Sequence, residues 1–159
     1  MNKGIQWKNF LISIAISVGT GLLAAVLTRG SMMMYEGFVK PPLSPPAWLF
    51  PIVWTILYIL MGISAYIIYE SPVEAQQKEK VLSIYGFQLF FNFLWSIVFF
   101  NFNNYLLAIG IILILWGLII AMIVNFNKIN KVAGWLQVPY LLWVTFATYL
   151  NIAIYFLNQ

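Results

Sequence analysis

The 159 residues are 63% hydrophobic and 18% aromatic but only 8% charged, with a net charge of +4. So few charges cannot cover a water-soluble globule, and so apolar a chain does not stay disordered. Without cysteine or histidine the chain has no disulfide, thiolate or imidazole chemistry, which removes zinc sites, iron–sulfur clusters and Cys- or His-based nucleophilic machinery. Its eight basic residues are scattered through loops and form no nucleic-acid surface.

What remains is an all-α membrane protein, and its length allows one bundle. A helical crossing needs about 20 mostly apolar residues. The first span runs over about 5–28 and the second over 46–69. Val81 to Asn127 carries no charge and is too long for one crossing. It folds back at Asn101-Phe102-Asn103-Asn104, a cluster with turn chemistry, giving spans over 81–102 and 105–124. The fifth covers 132–157. The runs lack the in/out alternation of a barrel strand, so residues 1–159 form a single five-transmembrane-helix domain.

The connection 29–45 is the long one. It holds Gly30, Gly37, Pro41, Pro42 and Pro45 with both signs of charge, and long loops in small bundles are often lids. Lys3, Lys8, Lys78, Lys80, Lys128 and Lys131 fall on the N-terminal side, and only Arg29 and Lys40 on the other. The positive-inside rule then places the N-terminus in the cytoplasm, with the long loop and the C-terminus outside a cell membrane. The first span is too long for a signal-peptide core and no clear cleavage site follows it.

No Asp, Glu, Lys or Arg lies mid-span, which argues against proton pumps, ion-coupled transporters and voltage sensors. Neutral polar residues do: Gln88, Asn92, Ser96, Thr145, Thr148 and Asn151. They are either glue between helices or part of a site. Gln88, Asn92 and Trp95/Ser96 share one face of the third span, Trp143, Ala147 and Asn151 one face of the fifth, and Trp54, Tyr58 and Met61 one face of the second. At 1.5 Å per residue, Trp54 lies about 12 Å from its outer end, Asn92 about 15 Å, Trp95 about 10 Å, Ala147 about 15 Å and Trp143 about 21 Å. Three helices thus carry aromatic and amide groups at similar depth beneath the long loop. Such a pocket suits a flat hydrophobic ligand; the alternative is plain core packing.

Trp7, Trp48 and Trp135 sit near span ends as interface anchors. Trp116 is mid-span and faces lipid or a partner. Pro51 and Pro139 are expected to kink their spans, freeing the carbonyls of Ala47 and Trp135. Gly110, Gly117 and Ala121 form a small-residue stripe suited to close helix packing, within the chain or in a dimer.

The run Lys40-Pro41-Pro42-Leu43-Ser44-Pro45-Pro46-Ala47-Trp48-Leu49-Phe50-Pro51-Ile52-Val53-Trp54, with Leu57-Tyr58 and Met61-Gly62, resembles the translocator protein/tryptophan-rich sensory protein family. Gln88-Leu89, Asn92 and Leu94-Trp95-Ser96 resemble its third helix. Pro139-Tyr140-Leu141-Leu142-Trp143 and Ala147-Thr148-Tyr149-Leu150-Asn151 resemble its fifth. The resemblance covers nearly the whole chain.

It implies a five-helix bundle, usually a homodimer, that binds porphyrins such as protoporphyrin IX and other flat hydrophobic molecules under the first loop. Carried over by position, the family's pocket residues fall on Tyr35, Trp54, Asn92, Trp143 and Ala147, with Pro45, Pro46 and Trp48 in the same wall. Tyr58, Gln88, Trp95 and Asn151 complete the candidate site. Many members have Trp where this chain has Leu43. No basic residue follows Tyr149, so the sterol motif of animal members is incomplete and sterol binding is not expected. No cofactor or metal is required, and the porphyrin is ligand or substrate. One expectation is a receptor, sensor or carrier in porphyrin homeostasis. The other is an enzyme for light- and oxygen-dependent porphyrin breakdown, with Trp54 and Trp143 as the working indoles. Any such activity would borrow the porphyrin's own photochemistry.

Overall fold

In hydrocarbon the backbone must satisfy its own hydrogen bonds, so each apolar run closes into a helix. The computed structural model describes residues 4–159, and Met32 by its backbone only. Five crossings follow in order: α1 (Trp7–Leu27), α3 (Leu49–Tyr69), α4 (Ala75–Ser96) with a π turn at Ile97–Asn101, α5 (Tyr105–Ile129), and a fifth made of α6 (Lys131–Trp135) and α7 (Val138–Leu157). The bundle is the expected five-helix membrane fold. The connection 29–45 contains a short helix, α2 (Ser31–Gly37), that its glycines and prolines gave no reason to expect. Gly30 starts it with φ +85°, a conformation glycine adopts without strain.

The ends differ from hydropathy in informative ways. α4 begins at Ala75, six residues before the apolar run, because Lys78 and Lys80 extend into water without breaking the helix. α5 continues to Ile129 for the same reason. The fold-back is where the Asn cluster placed it. Asn103 takes a left-handed turn at φ +53°, and the Asn104 side chain accepts from Leu107 N at 3.0 Å to cap α5. Asn130 caps α6 in the same way, accepting from Val132 N at 2.9 Å and Ala133 N at 3.2 Å.

Pro51 does not kink its helix, whereas Pro139 follows directly on a break in the fifth crossing. Pro51 is the third residue of α3 and Pro139 the second of α7, positions whose N–H has no intrahelical partner anyway. The Ala47 carbonyl is not freed either, since Phe50 N donates to it at 3.3 Å. The irregularity in the fifth crossing lies before Pro139, at Leu136-Gln137, where α6 gives way to α7.

The core gathers on α3, α4, α5 and α7. Met61, Ile68, Leu115, Ile119, Met122, Phe126 and Val144 are fully buried. α1 is peripheral, and only its Ser17 and Ala24 are buried. It seats on α3 through Gly62, whose carbonyl accepts from Ser13 Oγ at 2.7 Å. α3 reaches the fifth crossing through Ser64 Oγ, which donates to the Ala133 carbonyl at 2.7 Å. Gly110 and Gly117 face open space among the described residues, so these two positions of the small-residue stripe pack on no other helix there. Trp116 is turned toward α7, its indole N–H donating to Thr145 Oγ1 at 2.9 Å. Trp7, Trp48 and Trp135 are exposed near helix ends, as interface anchors are.

Candidate functional site

The up-and-down order puts Lys8, Lys78, Lys80, Lys128 and Lys131 at one end and Arg29, Lys40 and α2 at the other; Lys3 lies outside the described residues. At the α2 end, α3, α4 and α7 surround an aromatic chamber. Tyr35 of α2 closes it from above. Its hydroxyl donates to the Pro45 carbonyl at 2.8 Å, and its ring meets Phe50 edge-on at 4.9 Å. Lys40 Nζ sits 5.0 Å from the same ring. Burial pushes the Tyr35 phenol above its ordinary range.

Beneath Tyr35 lies a cavity of about 50 Å³, walled by Phe50, Trp95, Phe99, Phe100, Ala147 and Asn151 among others. On the other side of Trp95 and Phe100 is a cleft of about 230 Å³ between α1 and α4, which Trp54 and Tyr58 also line. The two voids share Trp95 and Phe100 as their partition. Ligand pockets commonly occupy about 300–1,000 Å³, so the chamber is too small to hold a ligand and, of these two voids, only the cleft approaches ligand size. The π turn explains the partition. An extra residue in one turn shifts the register after Trp95, and Phe99 and Phe100 stand beside it along the voids.

The predicted polar residues are brought together, but largely with each other. Tyr58 OH donates to Asn92 Oδ1 at 3.0 Å, Asn92 Nδ2 donates to Tyr140 OH at 2.7 Å, and Tyr140 OH donates to Gln88 Oε1 at 2.7 Å. Gln88 and Asn92 are fully buried and line neither void. Trp95 Nε1 donates to Asn151 Oδ1 at 3.1 Å, and Asn151 Nδ2 donates to the Tyr105 carbonyl at 3.1 Å. These amides join helices, and Asn151 does so from the chamber wall.

Other candidates are spread out. Trp143 meets Phe50 at 5.7 Å and Phe146 at 5.7 Å, behind the chamber. Its indole N–H is buried and has no partner among the described residues. Pro45 is half-buried and receives the Tyr35 bond. Pro46 is exposed, and Trp48, 66% exposed, points away from both voids. Leu43 is 84% exposed, so this position brings no side chain to the chamber.

A model of the TspO/MBR family matches residues 12–157. The chain belongs to the TspO/MBR family. It is 35% identical over 159 residues, 99% of each chain, to the tryptophan-rich protein TspO of Chlorobaculum tepidum. It is 40% identical over 147 residues to the tryptophan-rich protein TspO of Archaeoglobus fulgidus, covering 92% of this chain and 94% of that one. With the translocator protein of Bos taurus it shares 33% identity over 142 residues, 87% of this chain and 83% of that one.

In this TspO/MBR chain several residues that shape the site escaped the motifs. Phe99 and Phe100 needed knowledge of the π turn. Tyr140 stood inside a matched motif, but only the fold shows it bridging Asn92 and Gln88. Gln137 is fully buried at the α6–α7 break, and neither end of its amide has a partner among the described residues.

Proposed function

We propose that this TspO/MBR chain is a cell-membrane receptor or carrier for flat hydrophobic molecules of the tetrapyrrole class. Its N-terminus lies in the cytoplasm, and α2 and the rest of the 29–45 lid lie outside. The observation that carries this reading is the run of tilted rings beneath the lid. Trp54 and Trp95 are 6.4 Å apart with 35° between planes, and Trp95 and Phe99 are 5.4 Å apart with 33°. A planar macrocycle stacks on such faces over a large apolar area. Because Asn92, Gln88 and Asn151 are held by protein partners, apolar and aromatic contact dominates recognition. Phe100, less buried than Trp95, is the partition side chain that must turn to admit a full macrocycle.

The test is titration with protoporphyrin IX in the dark, read by tryptophan fluorescence, with Trp54→Phe and Trp143→Phe beside the parent chain. Saturable micromolar quenching that weakens in Trp54→Phe supports the reading. Non-saturating quenching, equal in all three, means the porphyrin only dissolves in detergent and overturns it.

A second reading is photochemical breakdown of the bound ring with oxygen. The proximity of Trp54 to Trp95, to Tyr58 at 5.7 Å and to Tyr140 at 6.3 Å favours it, because oxidisable side chains lie next to one another. Trp143 stands apart from that group. A defined new absorbing product under light, absent with free porphyrin in detergent and lost in Trp54→Phe, distinguishes an enzyme from a binder.

A further inference from the structure

The cleft between α1 and α4 carries one charged group. Arg29 lies in its wall at the outer end, with the Ser31 hydroxyl nearby in the same wall, and no Asp or Glu lines it. Gly30, at φ +85°, turns the chain there from α1 into the lid, which sets Arg29 just past the last turn of α1, at the end of the cleft next to α2. Deeper in, Trp54 and Trp95 present their rings. Gly21 on α1 lets the Tyr58 ring pack directly against that helix, since a Cβ there would stand 2.5 Å from the ring.

We propose that this cleft reads an acidic edge on a flat apolar ligand, with the ring against Trp54 and Trp95 and a carboxylate paired to the Arg29 guanidinium. The inference rests on the flat-ligand reading above and adds a determinant of specificity and orientation. A carboxylate is costly to bury in hydrocarbon, so an acidic edge must stay at the rim while the ring enters. Guanidinium binds carboxylate through two parallel N–H bonds in a fixed plane, and lysine cannot reproduce that geometry. The cleft therefore holds a monoanionic or dianionic ring in one direction, acid outward.

The test compares protoporphyrin IX, which carries two propionates, with its dimethyl ester, which has the same ring and no charge. Both are titrated by tryptophan quenching against the parent chain, Arg29→Gln and Arg29→Lys. The expected result is about tenfold weaker binding of the acid by Arg29→Gln, the worth of a charged hydrogen-bonded pair. The ester should bind all three alike, Arg29→Lys should recover part of the loss, and raised salt should weaken only the acid. If Arg29→Gln leaves the acid unchanged, or weakens acid and ester equally, the role of Arg29 is overturned. Saturable binding of both probes with Arg29→Gln silent would leave the flat-ligand reading standing without it. Failure of either probe to saturate on the parent chain would remove the flat-ligand reading and this inference together.

Discussion

Asn158 and Val39, 119 positions apart, exchange two hydrogen bonds. Val39 N–H donates to Asn158 Oδ1 at 2.9 Å, and Asn158 Nδ2 donates back to the Val39 carbonyl at 3.0 Å. The carboxamide pairs with the lid backbone as a neighbouring strand would. A second tie comes from Tyr149 OH, which donates to the Pro42 carbonyl at 2.8 Å. The lid over the chamber is thus fastened to the C-terminal half of α7 at two points, and both involve backbone that a loop would otherwise leave to water.

Asn158→Ala should therefore loosen the lid. Two exposed hydrogen bonds contribute about 0.5–1.5 kcal/mol each, so amide exchange at Phe38, Val39 and Lys40, the residues before the prolines, should speed up by about tenfold or more. Hydrogen exchange in detergent reads this directly, and exchange at the core of α5 should not move. Unchanged lid exchange would mean that Tyr149 and the packing of Phe38 on Tyr105, at 5.4 Å, hold the lid alone.

Tyr140 and Tyr85 make a matched pair for the buried polar network. Both are buried tyrosines. The Tyr140 hydroxyl bridges Asn92 and Gln88, whereas the Tyr85 hydroxyl has no partner among the described residues. Tyr140→Phe orphans two buried amide groups and should cost about 1–3 kcal/mol. Tyr85→Phe removes an unpaired group and should be neutral or stabilising. Thermal unfolding in detergent should lower the midpoint for the first and hold or raise it for the second. Equal losses would show that Tyr85 has a partner such as ordered water.

The architecture was legible because the bilayer leaves little choice. Apolar run length specified five crossings, and Asn101 to Asn104 marked the fold-back through turn chemistry that acts locally. Depth counting also placed Trp54, Trp95 and Ala147 around neighbouring voids, because rise per residue is nearly constant in a helix. It could not separate the residues that line a void from those that bond one another. Asn92 and Ala147 share a depth, yet Asn92 is enclosed by Tyr58 and Tyr140 while Ala147 borders the chamber. That difference is set by rotation of whole helices. The fifth crossing does break in the turn before Pro139, but the kink expected at Pro51 failed for a related reason. The cost of a proline depends on its distance from the helix start, and hydropathy places that start only within a few residues.

Glycines test how closely the helices approach. At Gly62 a Cβ would stand 2.7 Å from Ile14 Cδ1 and 2.9 Å from the Ile14 Cα. Backbone cannot move aside as a flexible side chain can, so Gly62→Ala should pry α1 from α3. A loss of about 1–3 kcal/mol is expected, typical of overpacking. At Gly117 a Cβ meets nothing within 4 Å, and Gly117→Ala should gain up to about 1 kcal/mol of helix propensity. Opposite shifts in unfolding midpoint are the expected result. A silent Gly62→Ala would mean that α1 is loosely held.

Leu43 stores strain in the lid. It is a non-glycine residue at φ +69°, where its Cβ crowds the backbone at a cost of about 1–2 kcal/mol. Being 84% exposed, its side chain recovers little by burial. Leu43→Gly removes the crowding but loses more chain entropy on folding, about 0.5–1 kcal/mol. Leu43→Ala keeps both the Cβ and the crowding. The order of unfolding midpoints should therefore be Gly first, with Leu and Ala close together below it. If Ala matched Gly, the leucine side chain rather than the backbone would be the source of the cost, and the lid turn would tolerate any small residue at this position.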